Sequence, residues 1–191
     1  MTLAAVVLAA GASTRMGRPK ALIEWRGRPF VAHVVAQAEA AAATPIVVVQ
    51  GPVPLPSVAG ARIVTNEHWS RGQMSSLRCG VAAALEGAAP AGVVVLTVDR
   101  PHVAPSTVRA VVDAWRSDPG SIWQPRFEGR RGHPLVYPAD AARALLGLGA
   151  DDTQRTFLAR PDVDARRRTL DVDDPAVLQN LDRPEDLAAL P

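Results

Sequence analysis

The stretch Leu3-Ala4-Ala5-Val6-Val7-Leu8-Ala9-Ala10-Gly11-Ala12-Ser13-Thr14-Arg15-Met16-Gly17-Arg18-Pro19-Lys20 decides the fold class. Its first seven residues are a short continuous apolar run, the pattern of a strand buried on both faces. A Gly-, Ser- and Pro-containing segment, Gly11–Pro19, follows at once, and Phe30–Ala43 then reads as a helix that stops before Pro45.

The same alternation continues outward. Ile46–Gln50 and Arg62–Thr65 read as strands, Met74–Glu86 as a helix, and Gly92–Val98 as the clearest strand of the chain. Pro105–Trp115 has proline in its first turn, as helices tolerate. Ser121–Gln124, His133–Tyr137 and Ala165–Leu170 are further strand candidates. Ala139–Leu148, Thr153–Ala159 and Pro184–Leu190 are helix candidates. Buried strands alternating with helices predict a three-layer α/β/α, Rossmann-like domain over residues 1–191, its sheet mostly parallel. In such sheets ligands sit at the C-terminal ends of the strands. The loops to inspect are Ala10–Lys20, Asn66–Ser76, Asp99–Val103 and Phe127–His133.

Composition narrows the function. The chain has 191 residues, a net charge of +2 and one cysteine. One cysteine excludes a disulfide framework and any multi-Cys zinc site, and fits a reducing cytoplasm. A charge of +2 is too small to argue for nucleic acid, and Arg166–Arg168 reads as a solvated edge. The longest apolar runs are strand-sized, so no membrane span is expected. Met1–Ala12 lacks a basic leading region and reads as a buried strand, not a signal. Of the 21 basic residues only Lys20 is a lysine. His33 and Cys79 fall in helical stretches and read as structural, and neither His68 nor His102 has metal-ligand spacing.

Small residues in Gly11–Lys20 let backbone N–H groups approach an anion, Arg15 can fork onto phosphate oxygens, and Lys20 adds a point charge. This is chemistry for a triphosphate. A P-loop is excluded, because five residues separate Gly11 from Gly17 and Arg18 follows; the dinucleotide fingerprint is also absent. Asp99 ends the best strand, where it can be a Mg²⁺ ligand or the cap of the next helix.

The string from Leu8 to Leu22 closely resembles the L-A-A-G-x-S-x-R-M-G-x-x-K signature of the molybdenum cofactor cytidylyltransferases and their MobA-like relatives, within the nucleotide-diphospho-sugar transferase superfamily. The resemblance runs from Leu3 to Leu187. It implies the nucleotidyltransferase fold with one late antiparallel strand, His133–Tyr137 being the candidate. It implies NMP transfer from an NTP to a phosphorylated acceptor such as molybdopterin, with Mg²⁺ and release of pyrophosphate. Molybdoenzyme maturation proteins are implied as further partners. Ala10, in Ala-Ala-Gly where guanylyl members carry Ala-Gly-Gly, leans toward CTP.

Carried over residue by residue, the resemblance implies that Arg15, Lys20 and Asp99 are catalytic. Leu8, Ala9, Ala10, Gly11, Ser13, Arg15 and Lys20 then bind the nucleotide. Asp99 lies in Val98-Asp99-Arg100-Pro101, where the family has G-D-x-P. Asn66–Leu77 resembles an N-x-x-W-x-x-G-x-x-S-S-L loop and adds Asn66, Gly72, Ser75 and Ser76, unless Ser75 or Ser76 only caps a helix. Gly129–Pro134 resembles G-x-R-G-H-P and offers Arg131 and His133 to an acceptor phosphate, or is an Arg-rich surface hairpin. Asn180–Leu187 resembles N/D-x-D/N-x-P-E-D-L. There Asp182 or Asn180 approaches the metal or the acceptor, or caps the last helix. The sequence departs from the family at Ala150–Arg155, an element the resemblance places on the acceptor side: Asp151 and Arg155 of G-D-x-G-A-R align and are implied to bind the acceptor, but both glycines and the alanine are gone. That leaves open GTP, a sugar- or alditol-phosphate acceptor, or a non-catalytic nucleotide-binding module for maturation.

Overall fold

The structure is a computed structural model that describes residues 1–11, 16–87, 89–149 and 152–190. In chain order its elements are β1 (Leu3–Ala9), a small hairpin of β2 (Glu24–Trp25) and β3 (Arg28–Pro29), α1 (Phe30–Ala40), β4 (Ile46–Gln50), β5 (Arg62–Thr65), α2 (Gln73–Ala84), β6 (Gly92–Thr97), α3 (Pro105–Ser117) and β7 (Ile122–Phe127). Then follow β8 (Arg130–Arg131), β9 (Leu135–Pro138), α4 (Ala139–Leu146), α5 (Gln154–Leu158), α6 (Pro161–Asp164), β10 (Arg167–Asp171) and α7 (Pro184–Ala188).

One sheet runs β10-β7-β9-β6-β1-β4-β5, with β8 paired to β7 off that path. β1 lies at its heart, parallel to both neighbours, with Val6 beside Val47 on one side and Val95 on the other. The period-two geometry of a strand then divides β1 between two cores. Leu3, Ala5 and Val7 join Phe30, Val34 and Trp115 of α1 and α3. Ala4, Val6 and Leu8 join Leu77, Val81, Leu145 and Phe157 of α2, α4 and α5. A strand buried on both faces is why Leu3–Ala9 reads as an uninterrupted apolar run, and the two cores make the three layers. α2 lies very close to the sheet: a Cβ at Gly80 would strike the side chains of Val6 and Val49.

The reversed strand inside the sheet is β9, antiparallel to β6 through Val94↔Val136 and to β7 through Trp123↔Val136. β7 runs three residues past the expected Gln124, straight through Pro125. Proline lacks a donor and is tolerated where the ladder changes partner. Here pairing with β9 at Trp123 gives way to pairing with β8 at Arg126, and the Pro125 carbonyl accepts from Gly132 N at 2.9 Å. The two hairpins β2–β3 and β7–β8 both turn on residues with positive φ, Arg26–Gly27 and Glu128–Gly129, the geometry that matches strand twist. Among the described residues no helix is long and apolar enough to cross a membrane.

Candidate functional site

A cleft of about 460 Å³ opens where β1 and β6 end. Leu8, Ala10 and Gly11 line it from the first strand, Thr97, Val98 and Asp99 from the second, and Trp69, Ser70, Gly72, Gln73 and Ser76 from the start of α2. Lys20 and Asp182 complete it. Ala9 points the other way and packs with the core under α1. Ser13 and Arg15, expected at the triphosphate, lie outside the described residues.

Lys20 reaches the cleft because the segment after it is pinned. Lys20–Leu22 is a 3-10 turn, anchored in the core by Ala21 within it and Ile23 just after it, and the Ile23 carbonyl accepts from Phe30 N at 2.8 Å as α1 begins. The Lys20 ammonium donates to the Asp182 carboxylate, across 162 residues of sequence. Two expected phosphate- and metal-binding groups therefore meet in one ion pair.

Asp99 does not cap α3. That helix starts after Ala104 with no side-chain cap, and Asp174 anchors its first turn, Oδ2 accepting from Ala104 N at 3.1 Å and Thr107 Oγ1 at 2.7 Å. The Asp99 carboxylate instead faces the cleft beside Arg100, whose Nη1 donates to Thr97 Oγ1 at 2.7 Å and lies 3.4 Å from Asp99 Oδ1. Burial pushes the Arg100 guanidinium below its ordinary pKa, and Asp99 and Asp182 pull it back up. The loop is clamped from α1: Gln37 Nε2 donates toward the carbonyls of Arg100, Pro101 and Val103 at 2.9–3.2 Å. Asp182 is likewise not a cap. Asp186 Oδ2 accepts from the backbone N of both Asp182 and Arg183 at 2.8 Å, which leaves the Asp182 carboxylate to the cleft. Leu181 N donates to the Asp99 carbonyl at 2.9 Å and ties the two segments together. Asn180 is exposed and lines none of the described cavities.

In the 66–77 loop the labour is divided. Gly72, at φ +94°, caps α2 in a conformation that favours glycine, and it borders the cleft with Ser76. Asn66 is buried and spends its polar atoms on the loop itself, donating to Ser75 Oγ at 2.9 Å and Ser76 Oγ at 3.0 Å and accepting from His68 N at 3.0 Å. Ser75 bonds to the carbonyls of His68 and Gly72. Asn66 and Ser75 thus shape the loop and do not line the cleft. Trp69, Gln73 and Thr97 do line it; the tryptophan of the W-x-x-G string was the signal for the first.

A second cavity, about 410 Å³, lies under β7, β8 and α5. It gathers Arg131, His133 and Arg155, three of the expected acceptor residues, with Gln124 and Gln154, which the sequence did not mark as site residues, and Arg167, from the run expected to be a solvated edge. Asp151 lies outside the described residues. Arg131 stands on a surface hairpin and also faces this cavity, 3.5 Å from Asp164. His133 is held at the turn into β9, its N–H donating to the Val177 carbonyl at 3.0 Å; a Cβ at Gly132 would run into that same Val177 backbone. Burial, helped by the Arg100 charge, pushes the His133 imidazole down to about 3, so it is neutral near pH 7. Thr97 of the first cleft and His133 of the second both border a void of only about 10 Å³ between them. His33 is structural, its ring 4.9 Å from Trp25 and its Nε2 2.7 Å from the Trp25 carbonyl.

For Mg²⁺ the residues fit. The ion takes one or two carboxylates and fills its remaining positions with water and phosphate oxygens. Asp99 and Asp182 line one cleft, and among the described residues no larger cluster of His, Cys, Asp and Glu forms a competing site.

Comparison with known proteins agrees with this fold. A nucleotidyl transferase from Methanothermobacter thermautotroptrophicus superposes with a TM-score of 0.77 at 21% identity, covering 98% of this chain and 94% of that one, which shows the fold. Nicotine blue oxidoreductase of Paenarthrobacter nicotinovorans is 34% identical over 167 residues, 80% of this chain and 79% of its own. A probable molybdenum cofactor guanylyltransferase of Opitutus terrae is 32% identical over 163 residues, 82% and 78% of the two chains. The model of the MobA-like NTP transferase domain matches residues 5–167, and the chain belongs to that family.

Proposed function

We propose that the chain is a Mg²⁺-dependent nucleotidyltransferase of molybdenum cofactor biosynthesis, transferring NMP from an NTP to the phosphate of a molybdopterin acceptor. The observation that carries this reading is the convergence of Lys20, Asp99 and Asp182 on one cleft at the strand ends, in a chain of the NTP transferase family.

In the reaction an oxygen of the acceptor phosphate bonds to the α-phosphorus. The bond from that phosphorus to its bridging oxygen breaks, and the electron pair leaves with pyrophosphate. The acceptor phosphate is already ionised near neutral pH, so neither a protein nucleophile nor a strong base is required. Cys79 is not called on; burial pushes its thiol up. Catalysis is then positioning and charge neutralisation. Lys20 neutralises the triphosphate, Gly11 and Gly72 allow its backbone approach, and Arg15 adds a second cation. Asp99 and Asp182 would hold Mg²⁺, which when bound offsets the charge that develops on the leaving group. Arg131, His133 and Arg155 stand on the acceptor side.

Ala10 supports CTP as the donor. The name of the Opitutus relative supports GTP as a second reading. A panel of four NTPs against molybdopterin, scored by pyrophosphate release, separates them by the faster donor. NTP binding in calorimetry with no release on any acceptor would overturn transferase activity in favour of a binding module.

A further inference from the structure

A cation is built against one of the two carboxylates assigned to Mg²⁺. Arg100 follows Asp99 directly, and its side chain is only 13% exposed. Its Nη1 lies 3.4 Å from Asp99 Oδ1 and donates to the hydroxyl of Thr97, which lines the cleft. The backbone beneath it is fixed, because the buried Gln37 amide donates to the carbonyls of Arg100, Pro101 and Val103. The field of the guanidinium reaches both carboxylates of the cleft, since Asp99 and Asp182 each favour its charged form. Hydrogen bonding does not account for the charge: Arg100 Nε is buried with no acceptor among the described residues. A buried charge with an unmet donor costs stability, so the cation has its use at Asp99.

A fixed cation this close to a carboxylate opposes a second cation at the same oxygens. A bare divalent ion therefore meets a carboxylate that is already answered. A divalent ion carried on a triphosphate brings negative charge with it, which the same guanidinium attracts. We propose that Arg100 is a positioning residue that acts through Asp99. It aims the carboxylate at the cleft and biases it against the bare divalent cation, so that the metal is taken up as the metal–nucleotide complex. This rests on the reading of Asp99 as a metal ligand. Arg100 fills the unspecified position of the G-D-x-P pattern, so the motif itself does not supply this cation.

Mn²⁺ is the probe, because its paramagnetic resonance signal reports the free ion without turnover. Arg100→Met should raise the affinity for Mn²⁺ alone about tenfold, the scale of one fixed charge a few ångströms from a divalent ion. In calorimetry with saturating Mn²⁺, the same variant should bind CTP or GTP more weakly than the wild-type protein. Arg100→Lys keeps the charge and should stay within about twofold of wild type for Mn²⁺ alone. Arg100→Gln removes the charge but keeps an amide donor, and it repeats the test if the methionine variant does not fold. A purely structural Arg100 predicts that both affinities fall, because a displaced Asp99 ligates less well. That result overturns the proposal, as does an unchanged affinity for Mn²⁺ alone or a rise in both affinities. Asp99→Asn separates this from the reading beneath it. If the affinity gained in Arg100→Met survives the addition of Asp99→Asn, Asp99 is not a ligand and the metal reading itself fails. If Asp99→Asn abolishes Mn²⁺ binding while Arg100→Met leaves it unchanged, the proposal alone fails.

Discussion

The two cavities handle charge in opposite ways. In the cleft at the ends of β1 and β6 the cation among the described lining residues meets a carboxylate: Lys20 pairs with Asp182, and Asp99, also on the lining, has Arg100 beside it just outside. In the cavity under β7 and α5, three guanidiniums line the wall but only Arg131 and Arg167 share a carboxylate, Asp164, and buried donors lack acceptors among the described residues. A balanced cleft suits a ligand that brings both signs, such as a triphosphate with its cation, because each internal pair is exchanged for a new partner of the same sign. The Lys20–Asp182 pair can be opened from the Asp182 side, which is 41% exposed, provided the buried Lys20 ammonium receives another anion in exchange. An unbalanced cavity suits an anion alone.

The balanced cleft breaks most severely at Asp99. Asp99→Ala should slow Mg²⁺-dependent pyrophosphate release by about 10³-fold, the scale of removing a preorganised electrostatic group. Retained release would take Asp99 out of the metal site. Lys20→Ala should cost about 10²-fold while leaving thermal unfolding unchanged; wild-type rates would sink the triphosphate role. Asp182→Ala sharpens the exchange argument. It removes Lys20's competitor together with a metal ligand, so NTP affinity without Mg²⁺ should rise about threefold, and the gain in affinity on adding Mg²⁺ should shrink. Calorimetry with and without Mg²⁺ reads both, and a variant that keeps the full Mg²⁺ gain would show that Asp182 only latches Lys20.

How the two cavities were built also decides how well they could be read. The first rests on strand ends and a loop of small residues, and a strand buried on both faces writes itself as an unbroken apolar run, as Leu3–Ala9 and Gly92–Thr97 do. Asp99 stands two residues past such a run and Lys20 ends the small-residue loop that follows the other, and both were legible. The second depends on residues that only the fold brings together. Gln124 sits mid-strand and looks like an ordinary polar residue, and Arg167 lies in a basic run read as a solvated edge, although its side chain is 13% exposed. The anchoring of α3 was illegible for a related reason: Asp174 holds the start of a helix 70 residues earlier, and such pairs leave no local pattern. The two-residue strands of β2–β3 are too short to show any period.

A smaller effect is expected from exchanging one cation for another. Twenty arginines supply charge elsewhere, and one lysine stands in the cleft. Its side chain is 13% exposed, on a turn pinned by Ala21 and Ile23. A compact ammonium fits such a place, whereas a planar guanidinium needs a wider one. Lys20→Arg should therefore lose about tenfold in kcat/KM for the NTP, and full activity would make the lysine incidental to composition.

The least effect is expected on stability, and it tests the unbalanced cavity. His133 is held at about 3, by burial first and the Arg100 charge second, whereas in the unfolded chain its pKa is about 6.5. Between those values the unfolded chain binds a proton that the folded chain refuses, so stability is full above pH 6.5 and falls as the pH drops toward 3. His133→Asn should flatten the decline of Tm between pH 6.5 and 5, above the carboxylate range. A residual slope should remain from His102, which burial also lowers. Identical slopes in both proteins would mean that His133 charges normally. The cavity would then gain a third excess positive charge below pH 6.5, and its preference for anions would tighten with acid instead of staying constant.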